Sequence, residues 1–216
     1  MSRAFKNRQQ AGEELGLFLK PKYMHQNPLV LGIPRGGVEV AYYVSKQLDA
    51  ELSLAVAKKL PFPGQEEYGI GAIAEDHIVY VSPHGENALA PGVIENIIEK
   101  QAIEINRRVQ KYRHGKALPD LKGRTVILVD DGIATGVTLV PVVRLCRKRE
   151  AALIVIAVPV SGLQFDAHLQ EADKIEVLVQ PRDFYAVGQA YETFGDFPDE
   201  ALMDLLKKAE QEHQHH

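Results

Sequence analysis

Two adjacent carboxylates, Asp130 and Asp131, follow an apolar run and precede a stretch of small and hydroxyl residues, in the order Val126-Ile127-Leu128-Val129-Asp130-Asp131-Gly132-Ile133-Ala134-Thr135-Gly136-Val137-Thr138. The carboxylates are acceptors suited to the hydroxyls of a sugar. Residues Ala134, Thr135, Gly136, Val137 and Thr138 offer backbone N–H groups, two hydroxyls and the start of a helical pattern, a combination that favours a phosphate. Acceptors for a diol beside donors for an anion match a ribose 5-phosphate. A second anion site is written in Gly32-Ile33-Pro34-Arg35-Gly36-Gly37. Its glycines let the backbone approach a ligand closely, the helix N-terminus that follows favours negative charge, and Arg35 adds a planar fork for phosphate oxygens.

These groups need a rigid frame, and the hydrophobic pattern supplies one. Short apolar runs at 29–33, 52–57, 125–129, 153–158 and 175–179 read as strands. Between them, spaced apolar residues predict helices over 38–48, from Pro91 through Val109, 138–148 and 163–171, with further helices at 7–20 and 199–212. Residues 78–81 read as a hairpin strand, and 60–76, rich in Pro, Gly and Glu, as either a mobile loop or a β-hairpin with surface glutamates. Alternation of strand and helix argues for an α/β, Rossmann-like parallel sheet flanked by helices, with ligands at the carboxyl ends of its strands. No repeat or linker divides the chain, which predicts a single domain over 1–216.

The run from Val126 to Thr138 resembles the 5-phosphoribosyl 1-diphosphate (PRPP) signature of type I phosphoribosyltransferases. The resemblance implies a core at about 29–180 and a small hood built from about 1–28 and 181–212. It implies that Asp130 and Asp131 hold the ribose hydroxyls, and touch Mg²⁺ only indirectly through ribose or water. Ala134, Thr135, Gly136, Val137 and Thr138 would wrap the 5′-phosphate, and Arg35, Gly36 and Gly37 map onto the pyrophosphate loop. The family often places a basic pair after the second strand, here Lys58 and Lys59, with Lys59 the better match for the lysine that reaches pyrophosphate. Segment 60–69 takes the place of the mobile catalytic loop and is similar to the K-x-LP…EYG passage of adenine phosphoribosyltransferases, which makes Glu67 the candidate general acid/base. Arg182-Asp183-Phe184-Tyr185-Ala186-Val187-Gly188 resembles the hood of 6-oxopurine enzymes, so Phe184 and Tyr185 are candidate platforms for a flat base. A packing role fits Phe184 equally well.

Departures from those relatives narrow the reading. In 6-oxopurine enzymes an aspartate stands where this chain has Ala134, and the lysine that reads the 6-oxo group has no counterpart in Val177-Leu178-Val179-Gln180. Alanine occurs there in adenine and uracil enzymes, but the larger hood of the uracil enzymes is missing. As a whole, the chain resembles a group of bacterial phosphoribosyltransferases with GxPRGG and DDGxATG motifs, whose base the resemblance leaves open. The activity implied is Mg²⁺-dependent transfer of the phosphoribosyl group from PRPP to a nitrogenous base or related acceptor, in nucleotide metabolism or nucleoside salvage. A non-catalytic PRPP or nucleotide sensor of the same fold is the alternative.

Composition excludes other classes. A formal net charge of -4 gives no electrostatic footprint for nucleic acid. No G-x-G-x-x-G follows a strand, which opposes a nicotinamide-dependent dehydrogenase. The single cysteine, Cys146, rules out an internal disulfide and fits a reducing cytoplasm, and no apolar run is long enough to span a bilayer. Arg107, Arg108 and Arg124 read as solvated surface, and His213, His215 and His216 as a polar tail rather than a metal site. A homodimer is the assembly common in the family.

Overall fold

The computed structural model describes residues 4–213, the side chains of Glu66 and Glu67 excepted. Five parallel strands form the central sheet: β1 (Pro28–Gly32), β2 (Glu51–Leu54), β6 (Thr125–Val129), β7 (Leu153–Val160) and β8 (Lys174–Val179). They lie in the order β2-β1-β6-β7-β8. A second, antiparallel sheet joins β3 (Ala57–Phe62), β4 (Gln65–Ala74) and β5 (Ile78–Val81).

β1, β6 and β7 are apolar on both faces because both faces are covered. Val30, Ile127, Val129, Val155 and Ala157 pack under α1 (Arg8–Tyr23) and α2 (Gly36–Leu48). Their neighbours Leu29, Leu31, Val126, Leu128 and Ile156 meet α5 (Leu139–Lys148) on the other side. A third cluster ties the antiparallel sheet, through Leu60, Ile70 and Ile73, to Ile105 and Tyr112 of α4 (Pro91–Arg113) and Leu202 of α6 (Asp199–His213).

Three elements differ from the sequence expectation, and the structure resolves a fourth. The strand expected at 52–57 ends at Leu54, and the chain leaves the parallel sheet there. Buried Glu75 explains the break: it accepts a hydrogen bond from Val56 N at 2.8 Å and pairs with Arg113, which also donates to Leu54 O at 3.4 Å. Segment 60–76 lies in the β3–β4 hairpin, the alternative weighed against a mobile loop, turned at Pro63-Gly64, where Gly64 adopts φ +77°. The helix expected at 163–171 is a 3₁₀ turn over Ala167–Glu171, because Asp166 N is bonded to Thr135 O rather than entering a helix. An unexpected helix, α3 (Pro83–Ala88), starts where Ser82 caps Gly85 N with Pro83 in the first turn.

Of the segments expected in the hood, α1 and α6 lie along the core, whereas the residues just before α1 pair with 190–193 above the strand ends. Phe5 N donates to Ala190 O at 2.9 Å, and Glu192 N donates to Phe5 O at 2.8 Å.

Candidate active site

β1 and β6 are adjacent and parallel, with Gly32 opposite Val129, and Ile33 N donates to Val129 O at 2.9 Å. The loops that follow them therefore leave the sheet at the same height. From β1 the chain crosses to β2 on one side, and β6 lies on the other, so the two loops flank the point where the winding reverses.

The glycines set how closely the loops approach. A Cβ on Gly37 would lie 2.8 Å from Asp130 Oδ1 and 2.9 Å from Val129 O, and one on Gly36 would collide with Asp131 Oδ2 and Arg8 Nε. Only hydrogen fits at these positions, so the 33–37 loop rests directly on the paired acids. The Pro34–Arg35 peptide is cis, and α2 begins at Gly36 with its N-terminus at the crevice.

Asp130 Oδ1 accepts from Asp131 N at 2.8 Å. Burial, with the neighbouring Asp131 charge, pushes the Asp130 carboxyl well above the usual range. Burial also raises Asp131, opposed by Arg8. Arg8 Nε donates to Asp131 Oδ2 at 2.9 Å, its NH1 donates to Gly195 O at 2.8 Å, and its guanidinium lies 4.1 Å from the centre of the Phe194 ring. Phe194 stacks in turn on Tyr191, whose hydroxyl donates to Asp131 O at 2.6 Å. Arg8, Tyr191 and Phe194 were not legible as site residues. Arg8 sits in a polar stretch far from the motif it serves, and no local spacing marks it.

Residues 134–138 bridge β6 and the N-terminus of α5, and Ala134 and Thr135 are exposed. Gly136 has φ +77°, a value side-chain-bearing residues rarely adopt, and its carbonyl accepts from Leu139 N at 3.0 Å. Beside it Ala134, Thr135, Val137, Gln164, Phe165 and Asp166 line an open cleft of about 280 Å³. A cavity of about 580 Å³ at the other end of the sheet, between the start of β2, the end of α4 and α6, touches none of these groups.

The remaining candidates are spread more widely. Arg35 is partly exposed, 3.5 Å from the Asp196 carboxylate. Strand alternation sends Lys58 and Lys59 to opposite faces of the antiparallel sheet. Burial and Arg108 on α4 lower the Lys58 amine, while the Lys59 stem packs beside Gly69. Arg108, expected on the solvated surface, is half-buried against Glu104. Arg124 is likewise half-buried, bonded to Glu51 at 2.6 Å. Phe184 packs at the margin of the Phe5, Val160 and Tyr191 cluster, whereas Tyr185 is 82% exposed. The Glu67 side chain and His215 and His216 lie outside the described residues, while His213 closes α6.

Among the described residues no group of three or more His, Cys, Asp or Glu side chains could hold a metal. Two hard carboxylates, one tied to Arg8, would fit a Mg²⁺ only indirectly, through substrate oxygens or water. Among the same residues no helix is long and apolar enough to cross a membrane.

The chain is 36% identical over 208 residues to two Mycobacterium tuberculosis proteins whose names assign them provisionally as phosphoribosyl transferases; the match covers 95% of this chain and 47% of theirs, so the chain spans about half their length. The solved structure of TT1426 from Thermus thermophilus is 32% identical, with a TM-score of 0.79 over 94% of this chain and 98% of that one. A Neisseria gonorrhoeae protein solved with bound ppGpp shares the fold, with a TM-score of 0.50 at 9% identity over 86% of this chain and 88% of that one. The family model "Phosphoribosyl transferase domain" matches residues 5–191. The chain belongs to the phosphoribosyl transferase domain family.

Proposed function

We propose that this protein transfers the 5-phosphoribosyl group of PRPP to a nitrogenous acceptor, breaking the C1–O bond to pyrophosphate and forming a C1–N bond as the acceptor nitrogen gives up its proton. One observation carries the reading: the paired acids and the 134–138 turn share one strand end and face the Gly36-Gly37 loop across the point where the sheet reverses. Asp130 and Asp131 hold the ribose hydroxyls. Residues 134–138 hold the 5′-phosphate at the N-terminus of α5. Arg35, the Gly36 and Gly37 amides, and a lysine of β3 (Lys59, with Lys58 as the alternative) take the leaving pyrophosphate. Mg²⁺, bound with PRPP, supplies positive charge that offsets the charge gathering on pyrophosphate.

Positioning and fixed charge supply the rate enhancement, and no protein nucleophile is needed. Glu67 on β4 is the candidate group for moving the acceptor proton, and Phe184 and Tyr185 the candidate walls for its ring. The absence of an acid at Ala134 favours an acceptor that needs no protein carboxylate at that point. The buried Cys146 thiol suits a reducing, cytoplasmic setting.

Titration calorimetry with PRPP and Mg²⁺ tests the site: the wild type should bind, and Asp130→Asn with Asp131→Asn should abolish the heat. Unchanged affinity in the double variant refutes the proposal. A pyrophosphate-release screen over adenine, uracil, orotate, xanthine, hypoxanthine and guanine tests turnover; tight PRPP binding with a flat screen favours a sensor.

A further inference from the structure

Behind the 134–138 turn lies a polar cluster that the reaction outlined above does not use. Asp166 Oδ2 accepts from the Tyr80 hydroxyl at 2.9 Å. Asp166 Oδ1 accepts from His168 N at 2.9 Å and lies 2.8 Å from His168 Nδ1, which is also 3.1 Å from the Tyr80 hydroxyl. Tyr80 is buried on β5, and the Arg144 guanidinium of α5 lies 5.2 Å from its ring centre. The carboxylate thus joins the antiparallel sheet to the 3₁₀ turn at Ala167–Glu171.

The same turn reaches the phosphate loop twice. Asp166 N donates to Thr135 O at 2.9 Å, and Leu169 packs so closely on Gly136 that a Cβ there would collide with Leu169 Cδ1. In a trans peptide unit the C=O and the following N–H point in opposite directions. Holding Thr135 O toward Asp166 therefore turns the Gly136 N–H away from Asp166. Leu139 N, by donating to Gly136 O at 3.0 Å, likewise turns the Val137 N–H. Successive N–H groups aimed in this way form an anion nest.

The geometry points to Asp166 as a positioning residue for the 5′-phosphate, one that never touches the ligand but fixes the direction of the Gly136 N–H through Thr135 O. The inference rests on the proposed function, because it assumes that residues 134–138 hold the phosphate. Asp166 lines the cleft beside that turn, where a bare carboxylate would repel an anion; the Tyr80 hydroxyl and the His168 backbone N–H offset its charge.

Calorimetry with two probes separates the roles: ribose 5-phosphate reports the 134–138 turn, and Mg²⁺-pyrophosphate reports the Arg35-Gly36-Gly37 loop. In Asp166→Ala the backbone N–H that meets Thr135 O remains but loses its side-chain anchor to Tyr80 and His168, so the ribose 5-phosphate affinity should fall about tenfold while pyrophosphate affinity stays within twofold. Asp166→Asn keeps one acceptor, for His168 N, and offers an amide N–H to the Tyr80 oxygen, and should restore most of the loss. Tyr80→Phe removes one hydroxyl and should lose about threefold for ribose 5-phosphate alone; it decides the matter if Asp166→Ala does not fold. Equal ribose 5-phosphate affinity in Tyr80→Phe and the wild type, or parallel loss of both probes in Asp166→Ala, overturns the inference and leaves the transferase reading standing. Failure of the wild type to bind either probe or PRPP overturns the transferase reading itself.

Discussion

Replacing Asp130 with asparagine should make the unliganded protein more stable while destroying its affinity for PRPP. Asp130 is half-buried beside Asp131, and the cation of the site, Arg8, hydrogen-bonds Asp131 instead. Its carboxyl is raised in the folded state by burial and by Asp131, so the ionised form costs stability at neutral pH. An asparagine keeps an oxygen to accept from Asp131 N and removes the charge. Relief of one like-charge contact in a half-buried site is worth on the order of 1–2 kcal/mol. For a chain of this size each kcal/mol moves Tm by about 2–4 °C, so scanning calorimetry at pH 7 should show a rise of roughly 2–8 °C. Because the folded carboxyl is raised, the cost is absent while it is protonated and grows as pH rises through its folded value. The gain in Asp130→Asn should therefore shrink toward zero as pH falls to the ordinary aspartate value of about 3.9. A companion substitution runs the other way. Arg8→Leu leaves both carboxylates without their cation and should cost about 3–5 kcal/mol, a cost that diminishes when Asp130→Asn is also present. A lower Tm for Asp130→Asn at neutral pH, or strictly additive effects of the two changes, would refute the reasoning. Stability held below its optimum at a binding site is a common exchange for function.

Other consequences are as direct. Gly37→Ala places a Cβ 2.8 Å from Asp130 Oδ1 and should abolish PRPP binding by calorimetry at a stability cost of about 1–3 kcal/mol. Burial pushes the Cys146 thiol up to about 12, so a thiol reagent at pH 8 should leave it unmodified until denaturant unfolds the chain. Arg113→Leu strands the buried Glu75 carboxylate and should cost about 3–5 kcal/mol in urea unfolding, whereas Arg113→Leu combined with Glu75→Leu should recover a large part of it.

Legibility in the sequence followed the range of the interactions. The Val126 to Thr138 run could be read as strand, acids and turn because all three follow from neighbouring residues, and its strand runs as expected. Gly36 and Gly37 were legible for the same reason: a glycine pair at a strand end announces close approach, although what it approaches, Asp130 and Asp131, does not appear locally. The hairpin at 57–74 stayed open between loop and β-hairpin because Pro, Gly and Glu dominate its composition, while its strands are held by Leu60, Ile70 and Ile73 against α4 and α6. The 163–171 segment was misread because a single hydrogen bond from Asp166 N to Thr135 O, invisible in any local window, takes the place of a helix start.

Residue order alone was enough for the layered α/β frame and for two glycine-bearing loops at strand ends, since buried parallel strands and glycine turns leave their imprint within a few positions. The assembly of the site needed the folded chain. Arg8 reaches Asp131 across 123 positions, Tyr191 and Phe194 close over that pair from the far end, and Tyr80 holds Asp166 across 86. Hydrogen bonds and charge act through distance in space, and no periodicity along the chain encodes which remote side chain will arrive there.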